Sequence, residues 1–393
     1  MNSSEPVQEP VAAPAVDQDT STTVVPAPPS LSPQEPAETR FLKTILFGPN
    51  GVRVGWSVLL FLTMSLVFMG IFSLIVMLVM RGILHMKTGE FSAVSSALQE
   101  SAQFLGLLAA AVISALIERR RVMDYNLTGP SRVRHFLTGF VLGFLGLSLL
   151  VGALYEGHWL QFGGVSLSGA AIAQFGLLWG IAFLLTGFSE EGMVRCYMLF
   201  TLGRGVNYWW ALGTVGVFCL IDFLAHGRGS GGVYLMAGLG VIPCLLLELR
   251  QAPSARFWQA AWLTSTFFGW MHTGNKGETW IGIFSAAAIG FVFCVSIRLT
   301  GSAWWAIGYH AAWDWAQTFF YGTADSGYQP KGHFLTTSPI GNVLWSGGTD
   351  GPEGSILVLP TVLLTLLVIL LVYHRKRPDP IAADLPQEHQ LAS

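Results

Sequence analysis

Three charged side chains stand in an otherwise apolar stretch of the sequence. Glu191 and Arg195 are four residues apart, so on a helix they share one face, with the acid on the favourable N-terminal side for an ion pair. Glu190 lies about 100° away around such a helix and has no local partner. A carboxylate without a local partner is suited to act as a general base. The spacing therefore predicts a structural pair and one chemically available acid.

Two later clusters carry histidines at the same helical spacing. Phe268 and His272 are four residues apart, and so are His310 and Asp314. Asp314 could orient the ring of His310, or both could face a common ligand. Two acids and two histidines can together activate a water molecule, with or without a metal ion. His226 is a competing candidate, but the Gly-rich segment after it is typical of a surface turn, so we rank it below His272.

Each cluster also has a structural interpretation when it is taken alone. A histidine in a membrane helix more often hydrogen-bonds to a neighbouring helix than takes part in catalysis, and an intramembrane ion pair can be purely structural. The same charges could form the proton relay of a transporter, or belong to a scaffold without activity. Inverted repeats would favour a transporter, and the sequence shows none. The presence of three clusters on three separate helices favours a catalytic site.

The composition indicates an all-α fold, namely a polytopic transmembrane bundle of 8–10 helices. Of 393 residues, 52% are hydrophobic and 11% are charged, whereas soluble domains carry about 25% charged residues. A basic stripe with interleaved aromatic residues is missing, which excludes nucleic acid as a partner. Runs long enough to cross a bilayer lie at 54–80, 98–117, 136–155, 170–200, 208–225, 233–249, 257–273, 280–298, 302–321 and 356–373.

Basic residues predict the orientation of the chain. With both termini in the cytoplasm, 16 of the 21 Lys and Arg residues fall on the cytoplasmic side. We therefore expect an integral protein of a bacterial plasma membrane with cytoplasmic N- and C-termini. Asn126-Leu-Thr matches a glycosylation sequon, but it adjoins the most basic loop, so we expect it to be unmodified. Gly139 and Gly143 form a G-x-x-x-G pattern that can mark close helix packing.

The three clusters together, in this order, resemble the CPBP family of intramembrane proteases. This family comprises CAAX proteases and bacteriocin-processing enzymes and is also called the Abi family. Its pattern is E-E-x-x-x-R, then F-x-x-x-H, then H-x-x-x-N/D, and the resemblance covers roughly residues 170–320. It implies an endopeptidase that hydrolyses a peptide bond of a protein or peptide substrate, prenylated or not, within the lipid bilayer. The site residues that it implies are Glu190, Glu191, Arg195, His272, His310 and Asp314.

The resemblance also implies roles for these residues. Glu190 and His272 would activate the attacking water, His310 and Asp314 would stabilise the oxyanion or coordinate a metal, and the ion pair would hold the site in shape. Whether a divalent metal such as zinc takes part stays open; if one does, its ligands would be Glu190, His272, His310 and Asp314. Asp314 stands where the prenyl-protein enzymes have Asn. An ionised carboxylate cannot donate to an oxyanion, which favours a role in orienting His310 or in binding a metal.

The domain organisation follows from composition and spacing. We expect a disordered Pro-rich tail, N-terminal helices, a catalytic membrane domain, an extracytoplasmic loop without chemistry of its own, and a last helix with a cytoplasmic tail. Their respective bounds are 1–40, 41–168, 169–321, 322–355 and 356–393. The 82 residues between Glu190 and His272 suggest an inserted helical hairpin at about 211–256. The predicted topology places these two side chains at different membrane depths, with His272 about 22 Å from the start of its helix.

Overall fold

The computed structural model describes residues 43, 46–48, 51–85, 91–206, 208–227, 231–275, 277–325 and 327–373. Residues from Leu46 onward belong to one compact unit. The predicted disordered tail at 1–40 and the cytoplasmic tail after residue 373 lie outside the described residues.

In the described part of the chain, a helix lies in each of the ten predicted membrane spans, which confirms the all-α bundle. Five of them are long and apolar enough to cross a membrane. Leucines on the first helix are exposed, among them Leu66 at 73%, as expected of a surface that faces lipid. The helices are α1 Val54–Gly82, α2 Ala93–Glu118, α3 Arg132–Glu156, α4 Ala170–Glu191 with its continuation to Gly203, α5 Tyr208–His226, α6 Gly231–Leu249, α7 Ala255–Met271, α8 Trp280–Thr300, α9 Trp304–Trp315 with its continuation to Phe320, and α10 Val358–Tyr373.

Helices α3 and α9 approach each other at their backbones. A Cβ atom on Gly139 would collide with the carbonyl oxygen of Trp305, and one on Gly143 with that of Tyr309. From the other side, a Cβ on Gly308 would meet the carbonyl oxygen of Phe136. The G-x-x-x-G pattern on α3 thus marks a close helix contact, as predicted. This contact matters for the site because α9 carries the second histidine cluster.

Two helices lie in the segment interpreted as an inserted hairpin. Helices α5 and α6 pack against each other, and α6 packs against α7. Gln259 on α7 fixes that second contact, because its side-chain nitrogen donates to the carbonyl oxygen of Cys244 at 3.3 Å and to Glu248 at 2.9 Å. The idea that α5 and α6 are an insertion stays a prediction.

Short strands form two separate pairs outside the helices. Strands β1 (Phe47–Gly48) and β2 (Gly51–Val52) form a hairpin before α1. Strand β3 (Leu160–Val165) pairs antiparallel with β4 (Leu335–Pro339). The sequence analysis did not predict this pairing. It attaches the segment between α9 and α10 to the connection between α3 and α4.

Candidate active site

Helix α4 changes its winding directly after the paired glutamates. The α-helix ends at Glu191, a π-helical stretch covers Gly192–Met198, and α-helical winding resumes from Leu199 to Gly203. Such π segments occur frequently at functional sites. Within it, Arg195 Nε lies 3.3 Å from Glu191 Oε2, and both side chains are fully buried. The predicted ion pair is therefore present.

The Arg195 guanidinium lies against two aromatic rings. Its central carbon lies 4.1 Å from the ring centre of Phe268 and 5.5 Å from that of Phe293. A Cβ on Gly290 would collide with its terminal nitrogen, so a glycine leaves the space that the group occupies. The guanidinium nitrogens make no hydrogen bond to any described residue. Charge attraction and cation–π contacts hold this side chain. Phe268 of the second motif therefore packs on Arg195 of the first motif.

His310 on α9 meets all three carboxylates of the first and third motifs. Its Nδ1 lies 2.8 Å from Glu191 Oε1, and its Nε2 lies 3.4 Å from Asp314 Oδ2 and 3.7 Å from Glu190 Oε2. Glu191 therefore binds both Arg195 and His310. The sequence predicted the first of these contacts and missed the second, because the two residues are 119 positions apart.

His272 follows directly after the last residue of α7. Its Nδ1 lies 2.8 Å from the carbonyl oxygen of Phe268, an acceptor, so Nδ1 carries the proton and donates. In the neutral ring Nε2 is then unprotonated and can accept a proton. The competing candidate His226 ends α5, but its side chain lies outside the described residues.

The candidate catalytic side chains line one cavity of about 520 Å³. Glu190, His272, His310 and Asp314 all line it, while Glu191 and Arg195 are buried next to it. Glu190 is close enough to both histidines to interact with them electrostatically. Glu190 and His272 line the cavity together, although the predicted topology placed them at different membrane depths. Helix α7 spans 17 residues and ends at Met271, directly before His272.

Among the described residues, four further carboxylates line the cavity, and sequence reasoning missed all four. Glu100 comes from α2, where Gln103 donates to it at 3.0 Å. Glu278 precedes α8, and Asp325 and Glu353 belong to the loop between α9 and α10. The sequence analysis found no chemistry in that loop, yet two of its carboxylates line the cavity. Glu100 could have been noticed as an acid within an apolar run, whereas the loop acids have no helical periodicity that would single them out.

Glu278 and Asp325 are partly buried. Burial, reinforced by neighbouring acids, raises the pKa of Glu278 and that of Asp325 each to about 8. Hydrogen bonds hold the loop in place: Asp350 accepts from the backbone and hydroxyl of Thr279 at 2.9 and 2.8 Å, and Glu353 accepts from Trp313 at 3.0 Å. Part of the acid around the cavity is therefore neutral near pH 7.

Among the described residues, no group of three or more His, Cys, Asp and Glu side chains is arranged so that it could hold a metal ion. Both histidines have one ring nitrogen engaged, His272 with a carbonyl oxygen and His310 with Glu191, and metal-bound histidines are commonly held in the same way. The site therefore leaves the use of a metal ion undecided.

Comparison with known proteins agrees with the motifs. Residues 172–316 match the family described as Rce1-like, type II CAAX prenyl endopeptidase. No curated protein and no solved structure is matched by the chain. The matched segment begins at the start of α4 and ends in α9, so it contains all three motifs together with the side chains that meet at the cavity. This match supports the resemblance of the segment to the CPBP/CAAX proteases.

Proposed function

We propose that the protein is an intramembrane endopeptidase of the CAAX-processing type, in which Glu190 and His272 activate the attacking water. The observation that carries this proposal is the cavity, which Glu190, His272, His310 and Asp314 line together although they come from three separate parts of the chain. A structural cluster would not need an open space of about 520 Å³ between its polar groups.

The reaction requires a base, a polarised carbonyl and a protonated leaving group. A water between Glu190 and the unprotonated Nε2 of His272 would lose its proton to Glu190 as its oxygen bonds to the carbonyl carbon of the substrate. The resulting tetrahedral intermediate then collapses, the C–N bond breaks, and the proton passes from Glu190 to the leaving amine. One water is consumed, and one carboxyl and one amine group are formed.

In this proposal, His310 faces the oxyanion of the tetrahedral intermediate. Glu191 holds its Nδ1 at 2.8 Å, and Asp314 lies 3.4 Å from its Nε2. An ionised Asp314 cannot donate a hydrogen bond to an oxyanion, so we assign it the orientation of the His310 ring. The fully buried Arg195 keeps Glu191 in place and does not face the cavity.

The lining of the cavity suits a substrate with an apolar part. Phe183, Ile289, Val358 and Val362 form apolar sections of its wall, next to the catalytic acids and histidines. A lipid-modified cysteine next to the cleaved bond would bury its chain against such a wall. We therefore propose a prenylated CAAX-type peptide as the substrate.

The test uses the purified protein in lipid nanodiscs and a synthetic peptide with a farnesylated CAAX terminus. Mass spectrometry should find release of the last three residues by the wild type and at least a hundredfold slower release by His272→Ala. Glu156→Gln, which changes an exposed carboxylate at the end of α3, serves as the matched control and should cleave normally. Equal cleavage by His272→Ala would contradict the assignment of His272. Cleavage of the unmodified peptide alone would contradict the prenyl part of the proposal.

A further inference from the structure

Asn126 connects the two helices that carry the catalytic motifs, although it lies outside both. It sits in the connection between α2 and α3 and is 9% exposed. Its side-chain nitrogen donates to the carbonyl oxygen of Arg195 at 2.8 Å, inside the π-helical part of α4. Its own carbonyl oxygen accepts from the backbone N–H of Ala303 at 2.8 Å, directly before α9. One residue therefore touches both catalytic helices.

Both contacts lie within about two helical turns of the catalytic groups. Arg195 is four residues after Glu191, or about 6 Å along the helix, and Ala303 is seven residues before His310, or about 10 Å. The bond between Glu191 and His310 joins the same two helices. Asn126 and this catalytic hydrogen bond thus form two cross-links between α4 and α9, and displacement at one of them changes the geometry at the other.

The backbone of Asn126 explains why asparagine suits this position. Its φ of 54° lies in the left-handed region, which asparagine adopts more readily than most residues. The neighbouring residues strengthen the attachment to α9, because Trp304 donates from its indole nitrogen to the carbonyl oxygen of Leu127 at 2.9 Å. A Cβ on Gly129 would touch the Ser302 side chain at 3.0 Å. The connection between α2 and α3 therefore contacts the start of α9 at several residues.

We propose that Asn126 is a positioning residue that fixes the register of α4 against α9 and thereby aligns Glu190 and Glu191 with His310. The inference rests on the proposed function and extends it to a residue outside the matched family segment. The proposal also gives the side-chain amide of the Asn126-Leu-Thr sequon a structural role, since its nitrogen donates to the carbonyl oxygen of Arg195.

Two variants separate the side chain from the backbone. Asn126→Gly keeps the left-handed conformation and the carbonyl oxygen but removes the donor. Asn126→Asp keeps the size of the side chain but replaces the amide donor by a carboxylate. For both, kcat should fall about 10- to 100-fold with KM within about twofold, since a small misplacement of reacting groups lowers the rate strongly. Thr128→Ala is the control: it destroys the same sequon at an exposed side chain and should behave as wild type.

A second measurement does not depend on cleavage. The ¹⁵N NMR signals of the His310 ring, assigned by their loss in His310→Gln, report on the hydrogen bond from Nδ1 to Glu191. They should shift in Asn126→Gly and stay unchanged in Thr128→Ala. Unchanged signals together with an unchanged kcat would overturn the proposal, and so would unfolding of both Asn126 variants, because the residue would then serve folding. A wild type without peptidase activity would refute the proposed function, while the NMR comparison would still decide the positioning role.

Discussion

Replacing Arg195 by methionine tests the most deeply buried part of the site. Methionine fills a similar volume and keeps contact with Phe268, but it leaves the Glu191 carboxylate without its cation. Both members of the pair are fully buried, and the cation lies 4.1 Å from the Phe268 ring centre. Arg195→Met therefore isolates the loss of one charge from a closed environment.

The magnitude follows from the cost of an uncompensated buried charge. Removing one partner of a buried ion pair typically costs about 3–5 kcal/mol, and a desolvated cation–π contact accounts for about 2 kcal/mol of such a loss. Because His310 still contacts Glu191 at 2.8 Å, we expect the lower end, about 3 kcal/mol. Arg195→Met combined with Glu191→Gln should be less destabilised than the sum of the two single variants, with a coupling energy of about 1–3 kcal/mol.

The assay is unfolding by SDS titration in mixed micelles, followed by the fluorescence of the 14 tryptophans. Four proteins complete the cycle: wild type, the two single variants and the double variant. Arg121→Met is the matched control, because Arg121 makes an ion pair with Asp124 at 2.8 Å but has an 80% exposed side chain. It should change the free energy of unfolding by less than about 1 kcal/mol. Strictly additive single variants, or an Arg195→Met protein as stable as wild type, would refute the reasoning.

Three further predictions concern packing, pH and metal ions. Gly143→Ala should lower the free energy of unfolding by about 1–3 kcal/mol, because the new methyl group collides with a backbone carbonyl. Gly152→Ala on the same helix is the control: its methyl group meets no atom within 4 Å, so the variant should be neutral or slightly stabilising. SDS titration of both variants measures the difference. The pKa of Glu278 is raised from 4.5 to about 8 in the fold, so its stabilising contribution is complete below about pH 4.5 and lost as the pH rises to 8. Melting temperatures across this range should fall less in Glu278→Gln than in wild type, and equal slopes would contradict the burial of this carboxyl. Dialysis against EDTA should leave peptide cleavage unchanged, and recovery of a lost activity by zinc would contradict a site made of protein groups and water.

Local spacing predicted the parts of the site that a single helix determines. Four-residue separation sufficed for the Glu191–Arg195 pair and for the contact between His310 and Asp314, because the helix repeat fixes which side chains are neighbours. The ten helices were predictable for a related reason, since a bilayer demands long apolar segments with satisfied backbones. The close contact of α3 at Gly143 followed from small residues on one face.

Contacts between distant segments could not be predicted in this way. The hydrogen bond between Glu191 and His310 and the stacking of Arg195 on Phe268 depend on how whole helices pack, and hydrophobicity alone does not specify that. The carboxylates of Asp325 and Glu353 reach the cavity because their loop folds back over it, and a polar Gly-rich segment gives no periodic signal for such a path. The pairing of β3 with β4 was missed for the same reason.

The most direct test of the central claim is the single-turnover cleavage rate of Glu190→Gln. Glutamine keeps the size and hydrogen-bonding reach of the side chain but cannot take a proton from water. The account predicts a rate at least 10²-fold below wild type, with unchanged binding of the farnesylated peptide and unchanged stability in SDS titration. Cleavage by Glu190→Gln at the wild-type rate would contradict the claim that Glu190 activates the water.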